Sequence, residues 1–182
     1  MIKFNKYNII FCCAGFLLIL ALWLIICAGK LTVFYLFRFS LLIVLSYIAA
    51  IIDIKTKRIP NMLVLIMITV WLLLIVPVLF FDPGYGLNML TDSLLGLLTG
   101  GGMFLLVYAL SKKGLGGGDV KFMAAAGLFL GFSETIPAIL YGTVLAALTG
   151  VFLILIKKIK KKDTMPLVPF LFAGIMITAF IR

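Results

Sequence analysis

The chain has 182 residues, of which 65% are hydrophobic and only 12% charged. Soluble domains are nearer half apolar and a quarter charged, and one core of this length has no room for so much apolar surface, so a soluble globular fold is excluded. The net charge of +10 does not point to nucleic acid, because the basic residues fall between apolar runs, where lysine and arginine orient membrane proteins.

The apolar runs, in chain order, are 7–28, 31–52, 62–81, 87–110, 120–132, 136–156 and 165–181. A helix crosses the hydrocarbon core with about 20 residues. The first run is longer than the roughly 7–15 apolar residues of a secretory signal, so it is expected to stay as a span. The fifth is short. Cys12, Cys13 and Cys27 all lie in the first run without a CxxC pair, which argues against a zinc site or a disulfide framework.

Basic residues alternate along the connections. Lys3 and Lys6 precede the first run. Lys55, Lys57 and Arg58 follow the second, Lys112 and Lys113 the fourth, and Lys157, Lys158, Lys160, Lys161 and Lys162 the sixth. The connections after the third and fifth runs carry only Asp82 and Glu134. The positive-inside rule then places the N-terminus in the cytoplasm, and the alternation requires the short fifth run to be a span. The expected fold is all-α: a polytopic transmembrane helical bundle of about seven spans, a single membrane domain over 1–182. Residues 1–30 form an extra N-terminal span ahead of a core at 31–182. Arg38, inside the second run, is expected to snorkel toward the outer interface. Gly96 with Gly100, and Gly142 with Ala146 and Gly150, have the spacing that lets helix backbones approach closely; the run Gly100, Gly101, Gly102 reads the same way, with a local kink.

The chain has no histidine, which removes the Ser-His-Asp and Cys-His systems and His-ligated metals. No cofactor and no metal site is expected. Acid–base chemistry falls to the six acidic residues, the lysines or the tyrosines. Asp53 stands at the cytoplasmic end of the second run and opens the stretch Asp53-Ile54-Lys55-Thr56-Lys57-Arg58-Ile59-Pro60-Asn61. Pro60 ends helix and biases Ile59 toward extended backbone, so Pro60 and Asn61 read as the entry to the third run. Asp119 closes Gly114-Leu115-Gly116-Gly117-Gly118-Asp119 and is followed by Val120 and Lys121. The glycines free the backbone and leave room for an extended peptide; GxxxxGK[ST] is absent, so a phosphate loop is disfavoured. Taken singly, Asp53 is also a solvated aspartate in a basic loop, and Asp119 also a helix cap after a flexible linker.

The charge alternation puts both aspartates at one membrane face. Two carboxyls held close do not both ionise easily, so one keeps its proton. Such a pair can activate water and polarise a carbonyl, which is peptide hydrolysis without histidine or metal.

These residues resemble the type IV prepilin peptidase family, the GxGD-type membrane aspartyl peptidases. The likeness rests on Asp53 with Ile59-Pro60-Asn61, on Gly116-Gly117-Gly118-Asp119 with Lys121, and on the proline-bearing tail Met165-Pro166-Leu167-Val168-Pro169-Phe170-Leu171. It covers roughly 41–181. The resemblance implies Asp53 and Asp119 as the catalytic pair, with Gly116, Gly117, Gly118, Lys121, Pro60 and Asn61 as substrate-side or loop residues. It implies a pilin-like precursor as substrate, its short basic leader cut at the cytoplasmic face of the inner membrane, and residues 31–182 as the peptidase core. Larger members carry a cysteine-bearing cytoplasmic region and also methylate; the resemblance here is to a short, peptidase-only form. The competing class is a small transporter or channel with Asp53 and Asp119 as ion sites. A third is a membrane scaffold holding anionic lipid on the lysines of 157–162, and membrane lipid is an expected partner under any of these.

Overall fold

A computed structural model of the chain describes residues 33–111, 115–158 and 165–181. They form six helices: α1 (Val33–Thr56), α2 (Asn61–Phe81), α3 (Pro83–Leu110), α4 (Gly117–Leu130), α5 (Phe132–Leu155) and α6 (Val168–Ile181). The expected all-α class is the observed one. The run at 7–28 and the three cysteines lie outside the described residues. Helices α1, α2, α3 and α5 are each long and apolar enough to cross a membrane, and α6 is a shorter apolar helix. At 1.5 Å per residue the 21-residue α2 measures about 32 Å, close to the roughly 30 Å of a bilayer's hydrocarbon.

Local signals set the helix ends. Lys57 has a left-handed φ of 51°, and its N–H donates to the Asp53 carbonyl at 2.8 Å, closing α1. Pro60, at φ −68° and ψ 137°, precedes α2 in extended backbone, as its ring requires. Helix α3 begins at Pro83, ahead of the apolar run expected from residue 87, because Asp82 caps it: its Oδ1 accepts the Tyr85 N–H at 3.0 Å. Proline fits the position just inside that cap.

One face of each long helix packs inward and the rest is largely exposed apolar surface. In α2 the inward residues are Leu63, Met67, Trp71 and Ile75, one per turn, whereas Leu65, Leu72, Leu73 and Val76 are exposed. Trp71 Nε1 donates to the buried Ser93 hydroxyl at 3.3 Å and ties α2 to α3. In α3 the inward stripe is largely small: Gly86, Ser93, Gly96 and Gly100. A methyl on Gly100 would stand 2.6 Å from the Met123 carbonyl oxygen, and one on Gly96 would collide with the Gly127 backbone. The packing expected of these glycines is what they do, and α3 continues through Gly100 and Gly101 as one helix. A methyl on Gly142 would likewise stand 2.9 Å from Leu171 Cα, whereas one on Gly150 would meet only Met165 Sδ, at an ordinary 3.8 Å.

Helix α4 is the centre of the bundle. It has 14 residues, and Phe122, Met123 and every residue from Ala125 to Leu130 are buried. Its length of about 21 Å falls short of the hydrocarbon thickness. A short helix is tolerated at membrane depth when protein surrounds it. It joins α5 through Gly131, whose φ is +75° and where any Cβ would run into the Asp92 carboxylate. Asp92 Oδ1 accepts the Phe132 N–H at 3.0 Å, so an acid on α3 holds this tight junction. The fifth run therefore feeds straight into α5, and Glu134, expected in a connection, lies buried in the first turn of α5.

Candidate active site

The end of α1 and the starts of α2, α4 and α6 meet at one end of the bundle. Asp53 sits in the last turn of α1 and is only 4% exposed. Its Oδ2 accepts the main-chain N–H of Val168, the first residue of α6, at 3.1 Å. A helix start offers unsatisfied N–H groups and a partial positive charge, which offset part of the cost of burying the Asp53 carboxyl. The solvated-loop reading of Asp53 is thereby corrected: the basic residues after it are exposed, but the aspartate itself points into the bundle.

Asp119 lies in the first turn of α4 and is half-buried. Its Oδ2 accepts the Gly116 N–H at 3.2 Å, and its own N–H donates to the Gly116 carbonyl at 3.1 Å. Burial, and then the negative charge of Asp53, push the Asp119 carboxyl up to about 6, against a smaller opposing pull from the Gly116 N–H. The two carboxyls therefore sense each other electrostatically across 66 residues of sequence.

The neighbouring motif residues are gathered here too. Lys121 Nζ donates to Asn61 Oδ1 at 2.9 Å, joining the first turn of α4 to that of α2. Gly117 and Gly118 belong to α4 rather than to a free loop. Among the described glycines only Gly131 has a positive φ, so left-handed backbone is not what the Gly116–Gly118 stretch supplies. Gly118 is closely packed: a Cβ there would sit 3.2 Å from Ile59 Cβ, so Ile59 would have to give way by a few tenths of an ångström, whereas Gly117 faces open space. Pro60 is exposed and acts by setting the backbone that brings Ile59 against Gly118.

Sequence reasoning missed the Val168 N–H, whose only local trace is a helix start between Pro166 and Pro169. It also missed a polar cluster at the opposite end of the bundle. There Arg38 is 8% exposed and does not snorkel into the interface. Its guanidinium carbon lies 5.5 Å from the Tyr35 ring centroid, and the Tyr35 hydroxyl donates to Glu134 Oε1 at 2.8 Å. With Tyr85, Asn88 and Asp92 they line a cavity of about 250 Å³. An aromatic face and nearby carboxylates offset the cost of desolvating the cation, which makes the inward position the better one.

The architecture is that of a polytopic helical membrane protein in which one end of the bundle brings together two carboxyls from separate helices. The type IV leader peptidase family matches residues 39–151, and the chain belongs to that family. It is 33% identical over 136 residues to the prepilin leader peptidase/N-methyltransferase of Escherichia coli, covering 70% of this chain and 56% of that protein. It is 30% identical over 82 residues to the protein of the same name from Bacillus subtilis, covering 45% of this chain and 33% of that one. The chain thus spans about half the length of the first relative. No solved structure matches it.

Proposed function

We propose that the chain is an aspartyl endopeptidase of the cytoplasmic membrane that removes the short basic leader from pilin-like precursors, with Asp53 and Asp119 as its catalytic residues. The observation that carries this reading is the pairing itself: the last turn of α1 and the first turn of α4 bring Asp53 and Asp119 to one end of the bundle, where the charge of the one bears on the other. At any moment one of the two is suited to hold a proton and the other to accept one. The water oxygen attacks the scissile carbonyl carbon while the ionised carboxylate takes the water proton. The protonated carboxyl gives its proton to the carbonyl oxygen. Collapse of the tetrahedral adduct breaks the C–N bond: the first proton passes to the leaving amine, and a hydroxyl proton of the adduct returns to the carboxyl that had given its own. Gly117, open on its outer side, leaves room for an extended peptide beside Asp119. The Lys121–Asn61 bond holds the α2 and α4 starts together around it.

The membership of the chain in the leader peptidase family supports this chemistry, as does the printed name of its relatives. The wider arrangement proposed with it is a multi-pass protein of seven spans with a cytoplasmic N-terminus, residues 31–182 forming the peptidase core and 1–30 an added span. The lysines of 157–162 then lie against anionic lipid at the cytoplasmic face. The test is direct. The full chain in liposomes is mixed with a pilin-like precursor, and the products are read by mass spectrometry. A single cut just before the precursor's apolar segment is expected, absent in Asp53→Asn and in Asp119→Asn. Undiminished cutting by either variant overturns the assignment.

A further inference from the structure

Helices α3 and α5 run on past the two aspartates. The register of α3 against α4 follows from Gly100, which faces the Met123 carbonyl; one turn further along each antiparallel helix brings Phe104 level with Asp119. From Phe104 to the end of α3 at Leu110 is then about 9 Å. A step of three residues along each helix from the Gly142–Leu171 approach puts Leu145 level with Val168, and α5 continues beyond it to Leu155 for about 15 Å. These extensions are not polar stalks. Leu106, Val107 and Leu110 on α3 are exposed, as are Leu148, Val151, Phe152 and Leu155 on α5. Apolar surface of this kind belongs in hydrocarbon, so the aspartates lie recessed between two walls that stay in the membrane.

Between those walls is a groove of about 410 Å³. Its sides are Met103, Phe104, Leu106 and Val107 from α3 and Ile139 and Thr143 from α5, and Leu115 and Leu167 close it. The Thr143 hydroxyl is its one side-chain polar group, and it already donates to the Ile139 carbonyl of its own helix at 2.7 Å. The groove therefore asks for purely apolar contact. Leu115 immediately precedes Gly116, whose N–H holds Asp119. Leu167 immediately precedes Val168, whose N–H holds Asp53. One apolar surface thus ends on the two backbone segments that hold the two carboxyls.

Resting on the peptidase reading, we infer that this α3–α5 groove is the seat for the hydrophobic helix of the protein substrate, gripping its first one or two turns after the scissile bond. A leader rich in lysine finds no partner in the groove and is left on the polar side of the aspartates, so the groove fixes which bond faces them. An acyl chain of the bilayer would satisfy the apolar lining, but would make no use of the groove's termination at both aspartates. The helix-in-groove mode also lets contacts away from the cut bond hold it in place.

The experiment fills the groove from within. Thr143→Trp is compared with Leu98→Trp, which adds the same ring to a lipid-facing position on α3 that is 64% exposed. Cleavage of a membrane-embedded precursor is measured beside cleavage of a short soluble peptide that spans the cut but lacks the apolar helix. Thr143→Trp is expected to raise KM for the embedded precursor about tenfold with kcat within about twofold, to leave the short peptide's cleavage unchanged, and Leu98→Trp to match the parent. In parallel, a photoreactive side chain at Leu106 of the otherwise unaltered protein is expected to cross-link to the first residues of the precursor's helix. Unchanged KM, an equal loss on the short peptide, or cross-links to lipid alone each overturn the groove. A parent that cleaves the precursor normally while the groove tests fail removes this inference alone; a parent that cleaves no precursor removes the peptidase reading as well.

Discussion

Val168 and Asp53 are 115 residues apart in sequence, and the main-chain N–H of the one donates to Oδ2 of the other at 3.1 Å. The bond joins the last turn of α1 to the first residue of α6. It gives the tail a role in the site that involves no side chain of its own, because a helix start supplies a bare N–H and a favourable field. An asparagine at position 53 retains an oxygen that accepts this bond, so the two functions of Asp53, anchoring α6 and carrying a proton, are separable.

Asp53→Asn and Asp119→Asn are each expected to lower leader cleavage by about a thousandfold, the scale of lost acid–base catalysis, with membrane level and helicity like the parent's. Circular dichroism and a cleavage assay on the same preparation check this. Near-parental cleavage by either variant contradicts the dyad.

Acidity gives an independent handle. The Asp119 carboxyl stands at about 6 rather than 3.8, so the proton it contributes to the pair is lost as pH rises through about 6. Cleavage kcat/KM is expected to fall across that interval toward a slope of about tenfold per pH unit. Stability changes in the same sense. A carboxyl raised in the folded state costs stability when ionised; the cost is full above about 6 and vanishes below 3.8. Asp119→Asn lacks that cost. Its Tm advantage over the parent in detergent is therefore expected to widen between about pH 4 and pH 6 and to level off above that, and a constant difference across that window would contradict the raised value.

The two adjacent glycines of the motif are expected to differ. A side chain at Gly118 presses on Ile59, with its Cβ 3.2 Å from the Ile59 Cβ, while Gly117 has nothing within 4 Å. Gly118→Val displaces the α1–α2 connection and is expected to cut turnover by about tenfold or more. Gly117→Ala is expected to insert and fold as the parent does. Expression level, helicity and cleavage rate for the pair decide it, and equal behaviour of the two variants would mean that the stretch is only a linker.

Membrane sidedness is checked by reporters. Asn61 bonds Lys121 at the aspartate end, so Phe81 lies at the far end of α2, about 30 Å away. A fusion after Phe81 is expected outside and one after Lys162 inside. Finding both on the same side contradicts the seven-span arrangement and the cytoplasmic placement of the site.

Hydropathy and charge were legible from the sequence alone because both act locally: a run of apolar residues dictates a helix in lipid, and lysines beside it choose a side. That was enough for the helical class, for the six described helices to within about four residues at each end, and for placing Asp53 and Asp119 at one end. The starts of α3 and α5 each come four residues before the apolar run; at α3 a cap and a proline outweighed hydropathy, and at α5 the Asp92-held junction did. Tertiary structure alone decided that α4 is wrapped by protein rather than lipid, that Ile59 packs closely on Gly118, and that Arg38 turns inward toward Tyr35 and Glu134. It alone supplied the Val168 N–H to Asp53. Each of these depends on which helices become neighbours. That choice is set by the summed packing of glycine stripes and buried side chains far apart in the chain, and no local pattern records it.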